Sequence, residues 1–247
     1  MIAPALSTQA LVAGYERDLP IVRGIDFAIN TGELVVVLGP NGAGKSTLVK
    51  AIAGLVPIHS GTVRLGDRDA TMVPAHEKIR QGLAFVPQTE NIFTTLSIHE
   101  NLLVSANILP KGSRGQRIDQ LYGMFPDLAA RPSLKAGQLS GGQRQMLAVA
   151  RALIVAPSVL ILDEPSAGLS PKVATDVFRS LKTINETGVA ILLVEQNVKA
   201  ALAIAHRGVI LVDGKLRHQG PAATLASDPI VAKLYLGAHK PAPAVRA

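Results

Sequence analysis

Leu34-Val-Val-Val-Leu-Gly-Pro-Asn-Gly-Ala-Gly-Lys-Ser-Thr47 decides the fold. Leu34 to Leu38 are all apolar and read as a buried strand. Gly39 to Gly44 break that strand, and the residues from Lys45 to about Gly54 read as a helix. Strand, glycine-rich turn and helix in this order make a phosphate-binding loop. In the loop Gly39, Pro40, Asn41, Gly42, Ala43, Gly44 the glycines let backbone N–H groups approach an anion, and the helix N-terminus adds a positive partial charge. Lys45 is predicted to reach the β- and γ-phosphates of a nucleoside triphosphate. Ser46 is predicted to coordinate Mg²⁺, with Thr47 as a neighbouring phosphate hydroxyl.

Such a loop needs an acid on a neighbouring strand, and Val159-Leu-Ile-Leu-Asp-Glu-Pro165 supplies two. The apolar run insulates the carboxylates at its end. Asp163 is assigned to Mg²⁺, and Glu164 to polarising the water that attacks the γ-phosphate. Between loop and acids lies Leu139-Ser-Gly-Gly-Gln143. Ser140 and Gln143 have capping-box spacing and open a helix. Its apolar stripe is Met146, Val149, Ala150, Leu153 and Ile154, and it stops before Pro157. Gly141 and Gly142 leave the N-terminus of that helix bare for an anion.

Working outward, short apolar strands (34–38, 83–86, 159–162, 189–194) alternate with amphipathic helices, which argues an α/β fold with a mainly parallel core sheet. Between Leu96 and Gln138 the pattern becomes helical, over Ile98 to Ile108 and Gln116 to Phe125, a helical insertion broken by Pro110, Gly112, Gly115, Pro126 and Pro132. From Gly208 the chain reads as an antiparallel hairpin turning at Asp213-Gly214 and running to Gln219, with two short helical pieces after it. Residues 1–237 are expected to form one nucleotide-binding domain with a helical subdomain at about 96–157. The tail 238–247 is expected to be disordered.

The 247 residues are 48% hydrophobic, enough for a sizeable core, and contain no cysteine, which excludes disulfides and thiolate metal sites. The +7 formal charge is scattered and not interleaved with aromatic residues, so no nucleic-acid partner is expected. Met1 to Thr8 lack the features of a secretory signal. No apolar run approaches the ~18 to 20 residues that span a bilayer, so any membrane role must run through a separate membrane protein.

These motifs in this order resemble the ATP-binding cassette (ABC) family over about residues 6 to 236. The resemblance implies an ABC ATPase fold and ATP and Mg²⁺ as ligands. It further implies that Tyr15 stacks on adenine, that Gln88 links Mg²⁺ to the permease contact, and that Ser166 to Leu169 form the loop after the acidic strand. It implies two such domains facing head to tail. Each ATP is then held by one subunit's phosphate loop and the other's segment equivalent to Leu139, Ser140, Gly141, Gly142 and Gln143. The chain departs from the family at one place: Glu195-Gln196-Asn197 follows the strand ending at Val194, so Gln196 occupies the position where most members carry a histidine. An amide can hydrogen-bond the γ-phosphate but carries no charge. His206, one helix later, reads as a solvated or helix-capping residue.

The Glu-Gln-Asn run, the short length and the Leu234-Tyr-Leu-Gly237 ending resemble the shorter ATPase subunit of branched-chain amino acid importers. That subgroup implies a cytoplasmic protein peripheral on the inner face of the membrane. Its implied partners are integral-membrane permease subunits, a second ABC ATPase and, indirectly, a periplasmic solute-binding protein. Three other readings share the motifs: a urea or short-amide importer ATPase, an ABC ATPase of iron–sulfur assembly or lipid export, and a scaffold that binds ATP but scarcely hydrolyses it.

Overall fold

The computed structural model describes residues 3–89 and 91–228. In chain order its elements are β1 (Leu6–Ala13), β2 (Val22–Ile29), β3 (Leu34–Leu38), α1 (Lys45–Ile52), β4 (Ile58–Leu65), β5 (Arg68–Asp69), α2 (Ala75–Arg80) and β6 (Leu83–Val86). The helical stretch follows, with α3 (Ile98–Ala106), α4 (Arg114–Met124), α5 (Pro126–Ala129) and α6 (Gly141–Leu153). The chain then returns to the sheet through β7 (Val159–Asp163), α7 (Pro171–Glu186), β8 (Ala190–Val194), α8 (Val198–Ile204), β9 (Arg207–Val212), β10 (Lys215–Pro221) and α9 (Ala222–Leu225).

The main sheet has the order β10-β9-β3-β8-β7-β6. Its inner pairings are parallel and β10 closes one edge antiparallel to β9. Every residue of β3, β7 and β8 is buried, which is why these strands read as unbroken apolar runs. Side chains alternate between two cores. Leu34, Val36, Leu38, Leu160 and Leu162 face the helices of the insertion together with α7 and α8. Val35, Val37, Val159 and Ile161 face α1 and a second, antiparallel sheet, β2-β1-β4-β5. Each such buried aliphatic side chain contributes about 1.5–3 kcal/mol. This second sheet is the antiparallel part of the fold beside the mainly parallel core sheet.

Register across the main sheet sets the site. Val37 of β3 pairs with Val194 of β8, and Val194 pairs with Asp163 of β7, so the three strands end in one row. The acids are therefore not on the strand next to the phosphate loop, as expected, because β8 lies between them. β7 also continues through Asp163 and does not stop at Leu162. In the insertion, α3 ends at Ala106, short of Ile108, and α4 starts at Arg114, two residues before Gln116. A second capping box, Ser97 with Glu100, opens α3. The second helical piece after β10, the Leu234 to Gly237 ending and the tail 238–247 lie outside the described residues. Among the described residues no helix is long and apolar enough to cross a membrane.

Candidate active site

The phosphate loop is braced from behind by the β9–β10 hairpin. Gly214, at the turn, donates its N–H to the Ala43 carbonyl at 3.0 Å and accepts from the Arg23 N–H at 2.8 Å. Gly39 has φ 154°, and a Cβ there would collide with the Leu211 carbonyl oxygen, so only glycine fits. The Asp213-Gly214 turn, read from the sequence as a hairpin tip only, is a wall of the site. At the other end of α1, the fully buried Lys78 donates to the Ile52 carbonyl at 2.7 Å and satisfies one of the helix's free C-terminal acceptors.

Lys45 Nζ donates to the Gly39 carbonyl at 2.9 Å and to the Pro40 carbonyl at 3.1 Å, which holds the ammonium across the loop. Burial pushes its pKa down, against the opposing pull of Glu164 and Asp163. Ser46 Oγ donates to Asp163 Oδ1 at 2.9 Å, bridging 117 residues of sequence. Burial pushes the Asp163 pKa up. The Ser46 hydrogen bond opposes that shift and the Glu164 charge adds to it.

Glu164 is held from three sides. Its backbone lies at φ 49°, a left-handed conformation that costs a non-glycine residue about 1–3 kcal/mol and clusters at functional sites. Its N–H donates to the Val194 carbonyl at 2.9 Å, tying the bend to β8. Gln88 Nε2 donates to Oε2 at 3.0 Å, and Gln196 Nε2 donates to Oε1 at 2.9 Å and Oε2 at 2.8 Å. The structure thus brings Gln88 and Gln196 together on one carboxylate, through two uncharged amides.

Serine, aspartate and amide oxygens are hard donors suited to Mg²⁺. Among the described residues no group of three or more His, Cys, Asp or Glu could hold a metal. Ser46 and Asp163 therefore fit an ion that takes its remaining ligands from substrate phosphates and water, which is the habit of Mg²⁺.

The capping box at α6 is present as read. Gln143 N–H donates to Ser140 Oγ at 3.3 Å, and Ser140 N–H donates to Gln143 Oε1 at 3.1 Å. Leu139 is buried beneath it and anchors the tip, with Arg144 Nε donating to the Leu139 carbonyl at 3.0 Å. The two glycines have a packing reason that spacing does not reveal. A Cβ on Gly141 would stand 2.8 Å from Leu169 Cδ2, and one on Gly142 would collide with Val173 Cγ1. Tyr15 is 62% exposed, on the loop that returns to the phosphate loop where Ile21 lies against Gly44. Its ring is therefore accessible for stacking on a ligand.

His206 is exposed, as expected, and its side chain caps no helix. Its Nδ1 accepts from the Leu34 N–H at 3.0 Å. Leu34 starts β3 and the phosphate loop follows its far end, so His206 cannot stand in for the histidine that Gln196 replaces. Glu195 was not assigned a role in the sequence, yet it is 1% exposed and its carboxylate accepts from Ser166.

Fold and site together define an ATP-hydrolysing P-loop enzyme with an α/β core. Residues 22–167 match the family model described as ABC transporter. The chain is 44% identical to the probable branched-chain amino acid transport ATP-binding protein LivF of Archaeoglobus fulgidus over 233 residues, covering 94% of this chain and 98% of the relative. It is 37% identical to the lipopolysaccharide export system ATP-binding protein LptB of Acidithiobacillus ferridurans, over 94% of this chain and 96% of that one. Among solved structures, the ADP conformation of MJ1267, an ATP-binding cassette of an ABC transporter, matches with TM-score 0.84 and 25% identity over 96% of this chain and 99% of that one. The chain belongs to the ABC transporter family, as one of its ATPase domains.

Proposed function

We propose that this chain energises the uptake of branched-chain or related amino acids through a separate permease. The observation that carries this reading is the 44% identity to the LivF relative across nearly the full length of both chains. Gln196 on Glu164 supports it, because this amide stands in the Glu-Gln-Asn run that marked the importer resemblance. In this reading the chain lies on the inner face of the membrane and pairs with a second ABC ATPase, and a periplasmic binding protein delivers the cargo. The 37% identity to LptB favours one alternative, the motor of a lipid exporter.

In the catalytic cycle Tyr15 stacks on adenine, the backbone N–H groups of the loop after Pro40 cradle the phosphates, and Thr47 adds a hydroxyl. Lys45 exchanges its two carbonyl partners for β- and γ-phosphate oxygens. Ser46 and Asp163, together with Gln88, would hold Mg²⁺, which would supply neutralisation of charge on those oxygens. Glu164 orients a water and takes its proton as the water oxygen bonds to the γ-phosphorus. The bond from that phosphorus to the bridging oxygen breaks, and ADP leaves with the electron pair. Gln196 moves from Glu164 to the γ-phosphate as an uncharged donor. This chain's Ser140, Gly141 and Gly142 face the ATP of the other subunit.

Ser140→Arg is accordingly expected to leave the fold and ATP binding by the single chain intact while abolishing ATP-driven dimerisation, since bulk and charge enter the facing phosphate site. Size-exclusion light scattering with Mg-ATP checks this, and normal dimerisation would remove the composite site.

The described part of the segment from Gln88 to Leu96 is proposed as the permease contact. Phe93 is 46% exposed there, under the Arg151 guanidinium at 4.6 Å from its ring centre. The buried Asn101 fixes its backbone, accepting from the Phe93 N–H at 2.8 Å and donating to its carbonyl at 2.9 Å.

The test of the import reading is reconstitution with permease and partner ATPase in proteoliposomes, followed by ATP turnover and labelled leucine uptake. The expected result is turnover stimulated by amino-acid-loaded binding protein, with uptake. Stimulation by lipopolysaccharide precursors, with none by amino acids, would replace this reading with the export one.

A further inference from the structure

Glu195 ends in a nearly dry box. It is 1% exposed, and among the described residues no basic side chain pairs with it. Its partners are neutral donors. The Ser166 N–H reaches Oε1 at 2.9 Å, the Ser166 hydroxyl reaches Oε2 at 2.8 Å, and the Gln196 N–H reaches Oε2 at 3.2 Å. Burying a carboxylate without a cation costs several kcal/mol unless donors replace its water. Burial indeed pushes the Glu195 pKa up, and the Ser166 hydrogen bonds oppose the shift.

What this arrangement connects gives it meaning. On one side, the peptide after Glu195 carries Gln196, whose amide holds both oxygens of Glu164. On the other side, Ser166 lies two residues after Glu164 and begins the loop that reaches Leu169. Leu169 in turn lies against Gly141, the first residue of α6. One buried carboxylate therefore clamps the strand end that holds Glu164 to the loop that touches the Ser140 tip.

We propose that Glu195 is a positioning residue for hydrolysis. By locking Ser166 to the end of β8 it holds Glu164 in its left-handed bend and holds the loop against Gly141, so the chain's own hydrolytic site and the tip serving the other ATP move as one unit. The role depends on the ATPase cycle and not on which cargo is carried, so failure of the import reading leaves it standing.

The test is single-turnover hydrolysis with this chain in its ATP-competent dimer, its own or that with the second ATPase, in large excess over radiolabelled Mg-ATP, beside ATP binding to the single chain and thermal melting. In Glu195→Gln an amide N–H₂ must face donors from Ser166 or Gln196. Its rate constant is expected to fall about 10–100-fold, as for lost positioning groups around other active sites, with ATP affinity within about threefold of the parent, since the phosphate loop is untouched. Ser166→Ala removes only one hydrogen bond and should lower the rate constant less. The double variant should be no slower than Glu195→Gln, because both act through the same contact. If Glu195→Gln fails to fold, Ser166→Ala decides: a lowered rate constant with unchanged affinity upholds the proposal. Rate constants within twofold of the parent in the folded variants would overturn it. So would a fall in rate matched by equal losses of ATP affinity and melting temperature, which is the signature of a purely structural residue.

Discussion

Glu164→Gln is expected to keep Mg-ATP bound while lowering turnover roughly 10²–10⁴-fold, the usual contribution of a positioned general base. The substitution is nearly isosteric, and the backbone bend at φ 49° rests on contacts outside the Glu164 side chain, among them the Val194 carbonyl. What changes is chemistry. Both carboxylate oxygens accept from Gln196 Nε2, and one also accepts from Gln88 Nε2. An amide keeps one acceptor and turns the other into a donor, so it can neither take a proton from water nor satisfy both glutamines on both oxygens. ATP that binds but is not cleaved should hold two nucleotide-binding domains together. Light scattering with Mg-ATP should therefore show a dimer, either of this variant alone or only after the second ATPase is added. The first outcome means the chain can build both composite sites itself; the second means it is half of a heterodimer. Unchanged turnover in Glu164→Gln would remove the general base from the mechanism.

The parts of this site that were legible in the sequence are contiguous. Leu34 to Thr47, Val159 to Glu164 and Leu139 to Gln143 each carry their own context: an apolar run to bury, a glycine or acid where the run ends, and a helix to follow. The central sheet was legible for the same reason, since fully buried parallel strands show as uninterrupted Val, Ile and Leu. The half-exposed strands β1, β2 and β4 carry a weaker alternating pattern interrupted by bulges and were not placed from the residues alone.

Relations between distant segments were not legible. Gln88 and Gln196 meet on Glu164 from 76 and 32 residues away. No local pattern records that, because strand order decides it: β8 enters between β3 and β7 and carries Gln196 to the acids. Glu195 was hidden for a further reason. An acid just past a strand end ordinarily reads as solvated, and only the position of Ser166 after the Glu164 bend turns it into a buried acceptor. Gly141 and Gly142 show the opposite case, in which the residue type was read for its backbone and the structure adds a packing constraint from Leu169 and Val173.

Lys45→Ala is expected to remove most ATP affinity. Lys45 is 5% exposed, and burial already disfavours its charge, so the fold keeps a cation at this point at a cost. Two carbonyl bonds and the nearby Asp163 and Glu164 charges offset part of that cost. Bound phosphates offset it more fully, because each charge-assisted hydrogen bond contributes about 1.5–3 kcal/mol and the β- and γ-oxygens accept one apiece. Loss of both corresponds to about 3 kcal/mol or more, hence at least a hundredfold rise in Kd by the tenfold-per-1.4 kcal/mol rule. The fold itself should survive, since the Gly214 contact to Ala43 and the packing of Leu48, Val49 and Ile52 hold α1 without the lysine. Removing a partly desolvated cation should even leave the melting temperature unchanged or raised when no nucleotide is added. Calorimetric titration with Mg-ATP beside a thermal melt separates the two effects. Near-parental affinity would mean that backbone N–H groups and Mg²⁺ carry the phosphates alone. A collapse of the melt would mean that the Gly39 and Pro40 contacts of Lys45 hold the loop itself.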